Sequence, residues 1–194
     1  KILEKPYIAL ELIKVLPLSV LQLCDLFWRK RVRENDRYGY ERDSMETRYG
    51  IVDKYQFQYF PASAHQTPLY WLLKNNFKET LDFIIDFTNQ AVESYRHSDY
   101  GKEDVQEITG YVKDKEIKQY LCWAFWGTYR GIGNPNVPYL LQSMHMALEK
   151  ILLEVAQNIN PEIFENILSQ ILIKSKSASL TAIVCSVVLA NPNI

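Results

Sequence analysis

Pro138-Tyr-Leu-Leu-Gln-Ser-Met-His-Met-Ala-Leu-Glu-Lys-Ile-Leu-Leu-Glu-Val-Ala-Gln-Asn-Ile159 is the stretch whose pattern decides the fold. Leu140, Leu141, Met144, Ala147, Leu148, Ile151, Leu152, Val155, Ala156 and Ile159 recur at three- and four-residue steps, which gathers them on one stripe of an α-helix. Pro138 opens that helix, where a backbone N–H has no intrahelical partner to lose. Asn160-Pro161 caps and opens a second helix, with Ile163, Phe164, Ile167, Leu168, Ile171 and Leu172 expected inward. After a loop from Ser175 to Ser179, with Ser179 as the expected cap, the apolar run Leu180 to Ala190 reads as a third helix. No glycine occurs from Asn134 to Ile194. Consecutive packed helices have this pattern.

Working outward, Thr67-Pro68 reads as a cap and first position for a short helix to Lys74. Asn76 and Glu79 have capping-box spacing for a longer helix with Leu81, Ile84, Ile85, Thr88, Ala91, Val92 and Tyr95 on one face. Together they form an αα-hairpin. Val105 to Val112 and the polar turn Lys113-Asp-Lys-Glu116 predict a small β-hairpin near residues 104–117. Lys118 to Arg130 then reads as an aromatic helix whose Trp123 and Trp126 anchor the hairpin, stopped by the turn Gly131-Ile-Gly-Asn-Pro135. Near the start, Pro6 to Leu16 and the segment opened by Pro17 read as two helices. Between Glu34 and Ala64 the chain is irregular and tyrosine-rich, with the alternation Tyr55-Gln-Phe-Gln-Tyr59 read as a strand or an ordered loop. The expected class is all-α: stacked helical hairpins, irregular and repeat-like, with one small β-hairpin, in a single helical domain over 1–194. Opening on Lys1 and stopping just after an apolar run, the chain reads as a fragment of a larger protein.

Composition bounds the function. A 47% apolar and 13% aromatic content suits a folded chain, and a net charge of −1 supplies no field for nucleic acid or anionic lipid. The longest apolar run is shorter than the roughly 20 residues of a membrane span. Cys24, Cys122 and Cys185 are odd in number and widely spaced, as expected of buried reduced thiols in a cytoplasmic protein and not of a disulfide framework or a zinc site.

Few residues have the spacing that chemistry needs. Gly127 to Gly133 lacks the following Lys-Ser or Lys-Thr of a phosphate loop. His65, His97 and His145 stand too far apart for metal ligation, and His145, between two methionines, reads as a satisfied core histidine. Asp104 with Glu116-Ile-Lys118 resembles the acidic-and-lysine pattern of metal-dependent nucleases, but its spacing is short. No catalytic, cofactor-binding or metal-binding residue is assigned, and no cofactor is expected. The strongest binding candidate is Arg29, Lys30, Arg31 and Arg33 with Tyr38 and Tyr40. Cations track phosphates and aromatics stack on bases, yet Glu34, Asp36, Glu41, Asp43 and Glu46 are interleaved and oppose anions. A structural or solvated helix end, where cations complement the helix dipole, is the favoured reading of this run, with a protein contact next and nucleic acid last.

Three segments carry a family resemblance: Pro61-Ala-Ser-Ala-His-Gln-Thr-Pro-Leu-Tyr-Trp-Leu-Leu73, Val137-Pro-Tyr-Leu-Leu-Gln-Ser-Met-His-Met-Ala-Leu-Glu149, and Ser179-Leu-Thr-Ala-Ile-Val-Cys-Ser-Val-Val-Leu-Ala190. In that order they resemble the helical region of very large bacterial signal-transduction-type ATP-binding proteins, some of them anti-phage defence ATPases. The ATP-binding motifs of such proteins are absent from this sequence, so no catalytic residue is carried over. The resemblance implies a non-catalytic scaffold or sensor region contacting other domains of a parent chain or a protein partner. A metal-dependent nuclease-like domain and a nucleic-acid-binding helical module are the competing expectations.

Overall fold

The computed structural model describes residues 3, 10–30, 44–55, 57–128 and 136–192. These residues form ten α-helices and one β-hairpin, so the fold is all-α with a small β insertion. The helices are α1 (Leu10–Val15), α2 (Pro17–Trp28), α3 (Met45–Arg48), α4 (Leu69–Asn75), α5 (Phe77–His97), α6 (Gly101–Asp104), α7 (Trp123–Gly127), α8 (Tyr139–Ala156), α9 (Pro161–Lys174) and α10 (Ala178–Ala190). The strands are β1 (Gln106–Val112) and β2 (Lys115–Leu121), paired antiparallel with Val112 opposite Lys115 and Gln106 opposite Leu121. Among the described residues no helix is long and apolar enough to cross a membrane.

α8 is the central element, and its stripe from Leu140 to Leu152 is buried as its spacing requires. α4 packs on one side of it and α10 on another. Because two flanks are covered, Gln142, Ser143 and His145 are buried as well. α4 and α5 meet at the single residue Asn76, whose φ of −148° breaks the helical path. Every residue expected on the inner face of α5 is buried. α1 packs on α4, and α2 lies against α5. In the tyrosine-rich region Asp53–Tyr55 is a short 3-10 helix and residues 57–59 are a turn, not a strand; Tyr59 is buried in the core, where it accepts a 2.8 Å hydrogen bond from Trp28 Nε1.

One turn fastens four elements. Asn89 on α5 donates to the Lys174 carbonyl at 2.9 Å and accepts from the Lys176 N–H at 2.7 Å. Tyr120 on β2 donates its N–H to the Lys176 carbonyl at 2.7 Å. Gln119 reaches the Leu172 and Ser175 carbonyls and accepts from Thr181 on α10.

The caps and boundaries differ from sequence in instructive ways. Asn160 caps α9 as expected, accepting from the Glu162 N–H at 2.9 Å. α10 is capped by Ser177 rather than Ser179, because the Ser179 hydroxyl is held by His145. Asn76 makes no side-chain cap bond, so the capping box with Glu79 does not form; Thr80 bonds back to the Asn76 carbonyl instead. Pro68 occupies the cap position of α4, one residue earlier than expected relative to the helix. On α9 Ile163 is exposed, since Phe164, Leu168 and Ile171 fill the inner face.

The largest correction lies at β2. Lys118 to Leu121, expected to be helical, continue the strand, and α7 is only five residues long. So short a helix buries one stripe, taken by Ala124 and Phe125, with Thr128 one turn further on. Phe125 packs edge-on against Tyr95 and Tyr49. Trp123 is left 77% exposed, so it does not anchor the hairpin, and Trp126 is 44% exposed. Cys24 and Cys122 are buried, but Cys185 is exposed, on the outer side of α10.

Candidate functional site

Arg29 stands where α2 ends, and the chain there turns extended. Its backbone bridges Ile51, Lys30 donates to the Gly50 carbonyl at 2.8 Å, and Val52 donates to the Trp28 carbonyl at 3.0 Å. Gly50 permits this pairing: its φ is +67°, and a Cβ there would lie 2.8 Å from Ser94 Oγ. The Arg29 side chain does not face solvent, contrary to its expected place on a solvated helix end. It is 14% exposed, its Nε pairs with Asp25, its Nη2 lies 2.6 Å from Asp86 Oδ2, and its Cζ sits 5.0 Å over the Phe87 ring. It is an interhelical tie between α2 and α5. Lys30 is half-buried beside it. Arg31, Arg33, Tyr38 and Tyr40 lie outside the described residues, as do Tyr129 to Pro135 of the glycine-bearing turn.

The tie closes one end of a groove of about 480 Å³. Leu21, Gln22 and Asp25 of α2, with Arg29 just after it, form one wall; Glu79, Asp82, Phe83 and Asp86 of α5 form the other. Leu18 and Leu26 of α2, at 55% and 52% exposed, lie outside the groove's lining. The α5 wall is acidic because the residues that leave the buried stripe of α5 on this side are carboxylates. In the sequence Asp25, Glu79, Asp82 and Asp86 stand as separate polar positions on two helices, with nothing that connects them. The available signal was α2 itself, whose leucines go round more of the helix than one buried face needs.

The densest ionisable cluster joins α4 to α8. Tyr70 donates to Glu154 at 3.0 Å, Lys74 donates to Tyr70 at 3.2 Å, and Lys150 lies 3.1 Å from Glu154. The hydrogen bond to Tyr70, with the nearby Glu154 charge, holds the Lys74 ammonium above its usual range. Burial pulls the Glu154 carboxyl up, but Lys150, Tyr70 and Lys74 outweigh it and hold it below its usual range. Both groups are thus fixed in their charged forms, the reverse of an acid or base poised to exchange a proton near neutrality. Beside this cluster, Leu73, Phe77, Ile151, Val155, Ile159 and Ile167 line an apolar groove of about 590 Å³.

His145 and Ser179 make a hydroxyl–imidazole pair at 2.9 Å. His145 Nδ1 lies 2.8 Å from the Leu141 carbonyl, so Nδ1 carries the proton and Nε2 accepts from Ser179. Burial pushes the imidazole down to about 4 against that carbonyl's pull. With both side chains enclosed, the pair braces α8 to α10 and offers no path to a substrate.

The nuclease-like residues are not brought together. Burial first, and then the adjacent Asp104, push the Cys122 thiol up to about 11, which places Asp104 at that thiol. Glu116 lies six residues back from Cys122 along β2, about 20 Å at the rise of an extended chain. Lys118 pairs with Glu107 across the hairpin at 3.6 Å. Among the described residues no group of three ligating side chains surrounds a common point. His97 bonds the Glu93 carbonyl on its own helix, and His65 packs edge-on against Tyr70.

No family model matches the chain, and no curated protein sequence does.

Proposed function

We propose that this chain is a non-catalytic helical scaffold or sensor region that makes protein–protein or interdomain contacts within a large, cytoplasmic, multidomain protein. The observation that carries the reading is the exposure of Leu18 and Leu26 beside a formed groove between α2 and α5. Exposed apolar side chains gathered along one helix are the usual mark of a contact surface. Val15 and Leu16, at the α1–α2 junction, are exposed as well. The ionisable clusters support the same reading, since Arg29, Glu154 and His145 each spend their polar atoms on joining helices. The resemblance to the helical region of bacterial signal-transduction-type ATP-binding proteins, including anti-phage ATPases, supports a reading in which any nucleotide chemistry lies in other parts of a parent protein.

The test is site-specific photo-crosslinking from positions 18 and 26 of the chain expressed in cells, with position 102 of α6 as the control. A discrete protein adduct from 18 or 26, absent from 102, is the expected result. Adducts to nucleic acid, or none from either position, would overturn the proposal.

A further inference from the structure

The two edges of the β-hairpin are treated differently. Along β2, Tyr120 donates its N–H to the Lys176 carbonyl and bridges Ser177, so the turn after α9 covers that edge. Along β1, the register sets which backbone groups point outward. Val112 pairs with Lys115 across a two-residue turn, and the pair that closes such a turn is hydrogen-bonded. Alternation then turns the backbone groups of Gln106, Ile108, Gly110 and Val112 towards β2, and those of Glu107, Thr109 and Tyr111 away from it. Among the described residues no strand, bridge or backbone hydrogen bond meets these outward groups, and all three residues are exposed. Natural sheets guard such an edge with lysine, proline, a bulge or brevity. β1 has none of these: it is seven residues long, Gln-Glu-Ile-Thr-Gly-Tyr-Val, and pairs with β2 without a bulge. Its single charge, Glu107, has Lys118 of the same hairpin 3.6 Å away.

We propose that β1 pairs edge to edge with β1 of a second copy of this chain, antiparallel about a twofold axis at Thr109, so that the two hairpins form one four-stranded sheet with the β1 strands at its centre. The self-association does not rest on the contact role proposed above. The outward groups fix the axis. Centred on Thr109, it sets Thr109 opposite Thr109 and Glu107 opposite Tyr111 in both directions, so every outward N–H meets an outward C=O. A shift to either side leaves groups at the strand ends without partners. The side chains fit the same register. Threonine against threonine is a favourable cross-strand pair, and the two Glu107 carboxylates are kept apart, each beside a tyrosine. On the other face Ile108, 39% exposed, comes beside Gly110 of the second copy, where a Cβ would stand 3.7 Å from Ile117 and its absence leaves room. This self-complementarity selects a second copy as the occupant. The three outward residues of each copy make six hydrogen bonds in all. At about one hydrogen bond per 100–200 Å² the contact is at the low end of specific interfaces, so the dimer is weak and reversible.

The test is sedimentation equilibrium of the whole chain at concentrations up to about 1 mM, where a weak dimer is populated. A reversible monomer–dimer equilibrium is expected. Thr109→Pro removes an outward N–H at the axis and none of the bonds to β2, and Thr109→Lys sets two ammonium groups against each other while leaving the backbone ladder whole. Each is expected to weaken the dimer about tenfold or more; the lysine variant decides if the proline loosens the hairpin, which amide NMR shifts of β2 would reveal. Register is read by crosslinking. Thr109→Cys, combined with Cys185→Ser to remove the exposed native thiol, is oxidised with glutathione disulfide. Directly paired Cα atoms in the ladder lie about 5.5 Å apart, within disulfide reach, so a covalent dimer is expected. Glu116→Cys in the same background stands three strand spacings, about 14 Å, from its counterpart and is expected to stay uncrosslinked. A chain that remains monomeric throughout, an association indifferent to both Thr109→Pro and Thr109→Lys, or equal crosslinking from positions 109 and 116 would overturn the proposal.

Discussion

Arg29 and His145 solve opposite electrostatic problems. Arg29 keeps its charge and brings carboxylates to it, so removing it takes that cation away from both Asp25 and Asp86. Arg29→Ala is expected to destabilise the chain by about 1–3 kcal/mol in urea unfolding, less than for a deeply buried pair because Asp86 is well exposed. His145 instead stays neutral. The unfolded state takes up its proton near the ordinary value of 6.5, whereas the folded state does so only at about 4. Between those values the unfolded state binds the extra proton, so stability is full above pH 6.5 and falls as pH drops towards 4. At 1.36 kcal/mol per unit the loss is about 3 kcal/mol, and unfolding curves of the parent and His145→Gln between pH 7 and 4 check it. A parent whose acid sensitivity matches the variant's would contradict it. The buried, satisfied histidine was legible from its apolar neighbours Met144 and Met146. The tie made by Arg29 was not, because Asp86 is far away in sequence and a terminal cation equally suits a helix dipole.

At the scale of elements, long stripes were legible and short ones were not. α5, α8 and α9 repeat their apolar spacing over three turns or more, which outweighs any local ambiguity. β2 and α7 share an aromatic run, Tyr120 to Trp126, that fits either period, and pairing with β1 decides how far the strand extends. The result is testable in the side chains. Trp123→Ala is expected to change stability by no more than about 0.5 kcal/mol, as at an ordinary surface position, while Phe125→Ala costs about 3–5 kcal/mol. Intrinsic tryptophan fluorescence adds a check, since Trp123 should be readily quenched by iodide. The hairpin turn offers a stabilising change. Lys113 holds a φ of +54°, a region that glycine enters freely, so Lys113→Gly is expected to raise stability by about 0.5–1 kcal/mol in thermal unfolding. A loss of stability there would mean that the lysine side chain, 3.1 Å from Glu165, matters more than the backbone.

Over the whole molecule, α8 is where the packing converges. Leu148 on its inner stripe is fully buried, and Leu148→Ala is expected to cost about 2–5 kcal/mol by calorimetry or urea unfolding. The groove between α2 and α5 escaped the sequence because it joins residues more than fifty positions apart, none of them unusual on its own helix. The turn from Lys174 to Ser177 shows what such long-range joining does. Loops are where protein chains usually accept cuts and insertions, since their backbone polar groups can be handed to water. Here the backbone of a short turn is occupied by Asn89, Gln119 and Tyr120, from two distant stretches of chain. This turn behaves as a rivet: new termini or a foreign domain placed inside it would release α5, β2 and α10 from one another together.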